Sequence, residues 1–158
     1  MSMRITEVIV NWLEAQEWEE RPEIDEEELT SSTGFGHIVN DDFSVKCYLE
    51  AAEKPCFIKL YMYFNDSKIP ASKLAEVIKY VNLVNISIPI GLLAVIPGDK
   101  VLRFYAGIDV ESASIEPQHI TNMMDAGLRT MARRLPQFMA ICYAGKTAEE
   151  ALEIEPEE

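Results

Sequence analysis

Apolar positions at the start of the chain fall on one side of a helix: Ile5, Val8, Ile9, Trp12 and Leu13 are spaced i, i+3, i+4, i+7 and i+8. The spacing predicts an amphipathic helix over residues 3–16. The rhythm then stops. Residues 17–32 hold Arg21-Pro22 and a run of acidic side chains without a period, which predicts an irregular surface linker, because like charges repel in any regular element. From Gly34 the period becomes two. Residues 34–39 predict a first strand and Asn40-Asp41 a tight turn. In a second strand over 42–52, Phe43, Val45, Cys47, Leu49 and Ala51 share one face. A third strand follows, in which Ile58, Leu60, Met62 and Phe64 alternate with Phe57, Lys59, Tyr61 and Tyr63. A turn at Glu53-Lys54 that pairs Ala52 with Pro55 sets Leu49 opposite Ile58 and Cys47 opposite Leu60 on the core side. By the same register Tyr48 faces Lys59 and Lys46 faces Tyr61. Tyr48, Phe57, Tyr61 and Tyr63 therefore gather with lysines on the face turned away from the core.

Helical spacing returns at Leu74, Val77, Ile78, Val81 and Val84, with Pro70 in the first turn, where its missing N–H costs nothing. Asn82 and Asn85 lie near the end of this helix. Residues 88–96 and 101–108 predict two more strands joined at Pro97-Gly98-Asp99-Lys100, with Val95 opposite Leu102 and Leu93 opposite Phe104. Leu92, Ala94, Ile96 and Tyr105 then share the other face, so both faces of this hairpin are apolar. A sheet face left to water carries polar residues, so a helix of the same chain or a second subunit is expected over this one. A last long helix starts near Pro117, with Ile120, Met123, Met124, Leu128, Met131 and Leu135 in one stripe. A kink is expected at Pro136, followed by more helix through Phe138, Met139 and Cys142. Thr147 and Glu150 have capping-box spacing and open a short helix ahead of an acidic end, residues 153–158, that reads as disordered.

Composition narrows the role. With 158 residues, 48% hydrophobic and 26% charged, residues 1–158 read as one domain built around one core. A net charge of −13 repels phosphate backbones and anionic headgroups, so neither nucleic acid nor a membrane surface is an expected partner. No apolar run approaches the ~20 residues of a membrane helix, and no small-residue cleavage site follows the first apolar block; the expected location is cytoplasmic. Residues 17–28 hold eight acidic side chains against Arg21 alone, and residues 149–158 hold six more; both read as solvated segments. Arg129, Arg133 and Arg134 form the only basic cluster, which the acidic loop or tail is expected to screen.

Candidate chemistry is sparse. Gly145-Lys146-Thr147 ends like a phosphate-binding loop, but the glycine needed five residues earlier is Ala140, and the segment before it is helical rather than extended. Gly34-Phe35-Gly36 lacks the third glycine of a dinucleotide loop. His37 and His119 are the only histidines, so a metal site would have to gather distant acids. Cys47, Cys56 and Cys142 are odd in number, are not closely spaced, and read as small buried hydrophobes. No catalytic residue, metal or cofactor is expected. Aromatic clusters turned from the core are, by contrast, enriched at interfaces.

Several segments together carry a resemblance: Val10-Asn11-Trp12-Leu13, the alternating hairpin, Tyr80-Val81-Asn82-Leu83-Val84-Asn85 leading into Pro89-Ile90-Gly91, the strand Leu102-Arg103-Phe104, and Gly145-Lys146-Thr147-Ala148-Glu149-Glu150-Ala151-Leu152. As a set these resemble the YbjN-domain family, bacterial proteins described as sensory transduction regulators, whose fold is similar to that of type III secretion chaperones. The resemblance covers nearly the whole chain. It implies an α+β fold in the order helix, three strands, helix, two strands, helix, with an antiparallel sheet of about five strands packed by helices. It also implies a homodimer. The function it implies is a non-enzymatic regulatory or chaperone-like module in bacterial signal transduction or stress response, which holds a protein client. Tyr48, Phe57, Tyr61, Tyr63, Leu92, Ala94, Ile96 and Tyr105 are the candidate partner or dimer surface. The alternative is a small-molecule sensor or enzyme with a pocket between sheet and helices, which a pocket with convergent polar side chains would favour.

Overall fold

The computed structural model describes residues 3–40, 43–64 and 68–156. Helix α1 (Arg4–Ala15) precedes strands β1 (Glu23–Asp25), β2 (Thr30–Asn40), β3 (Phe43–Glu53) and β4 (Cys56–Phe64). A 3-10 turn at Ala71–Lys73 leads into α2 (Leu74–Asn85), followed by β5 (Leu92–Ile96), β6 (Val101–Asp109), α3 (Pro117–Tyr143) and α4 (Ala148–Leu152). The fold is α+β. Its sheet is antiparallel with six strands in the order β1-β2-β3-β4-β6-β5.

The sixth strand corrects the reading of residues 17–32 as wholly irregular. Within that run Glu23, Ile24 and Asp25 pair with Ser32, Ser31 and Thr30. The Asp25 carboxylate accepts the N–H groups of Glu27 (3.0 Å) and Glu28 (3.0 Å), and Leu29 takes a positive φ of 55°, which together reverse the chain. The backbone pairs while the acidic side chains stay in water. The expected turn at Asn40-Asp41 falls partly outside the described residues, as do Glu157 and Glu158 of the acidic end.

The β3–β4 register differs from expectation by two residues. The turn is Lys54-Pro55, so Glu53 pairs with Cys56, Leu49 faces Leu60, Tyr48 faces Tyr61 and Lys46 faces Tyr63. A slip of two keeps every side chain on its expected face, because the strand period is two. Glu53 explains the longer strand. It is buried, and its Oε1 accepts the N–H groups of Ile5 (2.8 Å) and Thr6 (3.3 Å) at the start of α1. The residue at the N-cap of that helix, Met3, supplies no side-chain cap of its own. A carboxylate borrowed from β3 therefore satisfies two amides that the first helical turn leaves open and lies at the positive end of the helix dipole.

All four helices bury side chains in one core against one face of the sheet. Ile9, Tyr80, Met131 and Ala151, one from each helix, belong to one core cluster with the strand residues Leu49, Leu60 and Phe104. Gly127 marks the closest approach of α3: a Cβ there would stand 2.7 Å from Met62 Sδ and 2.9 Å from Phe104 Cδ1. α3 continues as helix through Pro136 to Tyr143. Trp12 packs on Phe35 of β2 (5.8 Å between rings) and donates from Nε1 to Thr121 Oγ1 at 3.0 Å, while Trp18 lies 5.0 Å from the same Phe35. The Thr147–Glu150 capping box forms as expected, with Glu150 N–H to Thr147 Oγ1 at 3.1 Å and Thr147 N–H to Glu150 Oε2 at 3.3 Å.

Candidate functional site

Strand alternation that sends Val45, Leu49, Leu60 and Met62 into the core sends Tyr48 of β3 and Phe57, Tyr61 and Tyr63 of β4 to the opposite face. Tyr105 of β6 lies opposite Tyr61, and Leu92 of β5 lies opposite Tyr105, which extends the same face to Ala94 and Ile96. The helices put their buried side chains on the other side, and none of these eight residues belongs to the core. The expected cover by a helix of the same chain is not found among the described residues. Leu92 is exposed and the other seven are half-buried.

The rings make two pairs. Tyr48 and Tyr63 meet edge to face at 6.0 Å, and Tyr61 and Tyr105 lie at 5.4 Å. Arg103, on the same parity as Tyr105, links the pairs: its guanidinium sits 4.6 Å from the Tyr61 ring centre and Nη1 donates to the Tyr63 hydroxyl at 3.4 Å. Arg103 Nε is buried without a partner among the described residues. Lys46 stands 5.5 Å from the Tyr48 ring and Lys59 4.5 Å from that of Phe57. Glycine lets a ring lie close to the backbone: a Cβ on Gly34 would come within 3.1 Å of Tyr48 Cε1. Phe57 stands apart from the tyrosines and lines, with β1, a groove of about 460 Å3. Arg103 was not singled out from sequence, although its two-residue offset from Tyr105 placed it on this face.

The face carries charges of both signs, with its cations gathered around the tyrosines. Lys46, Lys59 and Arg103 stand with Glu50 among the rings, while Asp109 lies opposite Phe57 and Glu23 and Asp25 lie on the β1 side of the same face. Burial, then the charge of Glu50, raises the Tyr61 hydroxyl above its ordinary value, so it stays a hydrogen-bond donor at neutral pH. The face therefore offers aromatic planes, hydroxyl donors and cations, a set suited to apolar and acidic groups of another molecule.

The free edge of the sheet beside this face is partly closed. Asn85, at the end of α2, donates from Nδ2 to the Leu93 carbonyl (2.9 Å) and accepts the Leu93 N–H on Oδ1 (2.8 Å). One side-chain amide thus occupies both backbone groups that an added strand would use at that position.

The remaining candidates resolve individually. Cys47 and Cys142 are buried, which pushes their thiols up to about 12 and about 11. Cys56 is only half-buried, unlike the expectation, and donates from Sγ to the Glu53 carbonyl at 2.9 Å. At pH 8 iodoacetamide should modify Cys56 in the folded chain slowly, since burial and then the charge of Glu111 raise its thiol too. It should reach Cys47 only after unfolding, read by mass spectrometry, because the thiolate is the reacting form. His119 accepts the Glu116 N–H on Nδ1 at 2.9 Å in a capping box, and His37 lies 6.4 Å from the Trp18 ring. Among the described residues no group of three His, Cys, Asp or Glu could hold a metal ion. Arg129, Arg133 and Arg134 make no ion pair with the acidic loop or tail among the described residues; Glu157 and Glu158 of the tail lie outside them. No helix among the described residues is long and apolar enough to cross a membrane.

No family model matches the chain, and no curated protein matches it. Among solved structures it is similar to a chain of the HopA1–SchA chaperone–effector complex, with 14% identity and a TM-score of 0.49 over 81% of this chain and 89% of that chain.

Proposed function

We propose that this chain is a non-enzymatic, chaperone-like module that holds a segment of a protein client against the uncovered face of its sheet, and that it works as a cytoplasmic homodimer. The observation that carries this reading is the aromatic and cationic ladder on a sheet face that no helix among the described residues covers. Tyrosine and arginine dominate interface energetics because they bury much area and keep polar handles. A client segment with apolar and acidic side chains fits this face, with its carboxylates on Lys46, Lys59 and Arg103. The acidic remainder of the surface would keep complexes apart in solution. The apolar strip Leu92, Ala94 and Ile96 is the part of the face nearest the sheet edge, where a second copy would pack against it rather than add a strand, since Asn85 occupies the Leu93 backbone. The resemblance to YbjN-domain proteins supports a role of this class in bacterial signalling or stress response.

The test uses the full chain. A photo-crosslinking residue at position 48 identifies the client in cells, and the purified client is then titrated against wild type and the Tyr61→Ala/Tyr63→Ala variant. Two hot-spot truncations at ~1–2 kcal/mol each weaken the client by about thirtyfold or more, while the melting temperature stays close to wild type. Light scattering reports a dimer for the wild type. Unchanged client affinity in the double variant would sink the client surface, and a monomer at all concentrations would sink the dimer.

A further inference from the structure

Arg129, Arg133 and Arg134 share a stripe of α3 with Ala126 and Thr130 and line a cleft of about 450 Å3 opposite the α2–β5 loop, residues Ser87 to Ile90. One of the three guanidinium groups is built in. Arg134 donates to Gln137 Oε1 at 3.1 Å and to Ser87 Oγ at 3.4 Å. Gln137 is buried, accepts the Tyr80 hydroxyl at 2.7 Å and donates to the Ile154 carbonyl at 2.9 Å, so a saturated internal network fixes the arginine it holds. Arg129 and Arg133 are exposed, and neither has an ion-pair partner among the described residues. Like charges four residues apart destabilise a helix. Here they do so in a chain whose acids outnumber its bases 27 to 14, with no ion pair to either of them among the described residues. An anion in the cleft removes that repulsion.

A second, separate space adjoins the cleft at Ile90. Beyond Ile90, which lines both, lies a space of about 370 Å3 between Met123 of α3 and the margin of the open sheet face at Leu92 and Tyr105. The two proposed surfaces therefore share those two residues, and the exposed His119 and Asn122 also line the space. Met123 lies six residues before Arg129 on α3, about 9 Å of helical rise and about a third of a turn around the helix. Both volumes fall within the range of small-molecule sites, about 300–1,000 Å3, and the first space is cationic and the second mainly apolar.

We propose that the two adjoining spaces bind a small phosphorylated molecule of nucleotide size, with its phosphates on Arg129, Arg133 and Arg134 and its uncharged body beyond Ile90. The guanidinium fork matches phosphate oxygens two at a time, which a point charge cannot do.

Calorimetric titration of the full chain at fixed ionic strength tests this with ADP as the probe and with pyrophosphate and adenosine as its halves. ADP should bind more tightly than either half. Arg129→Gln with Arg133→Gln should weaken ADP and pyrophosphate by about a hundredfold, as two lost charge-assisted contacts require. The unliganded variant should melt no lower than wild type, since both side chains are exposed. Arg129→Lys with Arg133→Lys should fall between. Failure of both ADP and pyrophosphate to bind the wild type, or equal affinity in wild type and the glutamine variant, overturns the site. Equal affinity for ADP and pyrophosphate overturns the assignment of the apolar space.

Discussion

Glu53→Ala lowers the stability of the fold by about 3 kcal/mol, which for a chain of this length is a drop in melting temperature of about 6–12 °C. The magnitude follows from what the carboxylate does. It accepts the N–H groups of Ile5 and Thr6, both buried residues, and no side chain at Met3 can take its place. Loss of a helix cap costs about 1 kcal/mol, and buried amides left without an acceptor add about 1–3 kcal/mol. Part of the damage is local to α1, so its amides should exchange with solvent faster than those of β3 and β4. Glu53→Gln keeps an acceptor oxygen and gives up the charge at the positive end of the helix, so it should lose about 1 kcal/mol. Thermal melts of the two variants separate these contributions. Equal stability of Glu53→Ala and wild type would show that the cap contributes nothing.

Asn85→Ala should cost about 2 kcal/mol, the sum of two net hydrogen bonds, and should also change how the chain associates. With the amide gone, Leu93 presents a free N–H and a free carbonyl on the edge of β5, next to the apolar side chains of Leu92, Ala94 and Ile96. An open apolar edge is a template for another strand. Light scattering over a concentration series should therefore show larger species in the variant than in wild type. Asn85→Asp keeps an acceptor for the Leu93 N–H but sets a carboxylate against the Leu93 carbonyl, so it should lose at least as much stability as the alanine variant. A variant that loses stability without a rise in mass would assign Asn85 to α2–β5 attachment alone.

The sequence carried the faces of this fold better than its pairings. Alternation in β3 and β4 assigned Tyr48, Tyr61 and Tyr63 to the outer face, and it did so despite a two-residue error in register, because such an error leaves parity unchanged. The turn residues around Pro55 did not reveal the register. The constraint comes from Glu53, whose partners lie 48 and 47 residues away at α1. β1 was hidden for a related reason: a lone apolar Ile24 between two acids shows no alternation, and the pairing of β1 depends on the Asp25 turn. The spacing of Arg129, Arg133 and Arg134 was plain in the sequence, but the cleft they line needs the α2–β5 loop as its opposite wall. Their lack of carboxylate partners among the described residues is a property of tertiary placement, and composition pointed the other way.

Both tryptophans sit at one corner of the molecule, around Phe35. Indole emission from this chain is therefore a local signal. It follows the seating of α1 on β2 and the contact with Thr121, and it is remote in sequence from the tyrosine ladder of β3, β4 and β6 and from the arginines of α3. A melting curve recorded by tryptophan fluorescence reads the integrity of that corner. Four of the six tyrosines, Tyr48, Tyr61, Tyr63 and Tyr105, look onto the open sheet, so phenolic absorbance is weighted toward that face, with Tyr80 in the core and Tyr143 at the end of α3 supplying the rest.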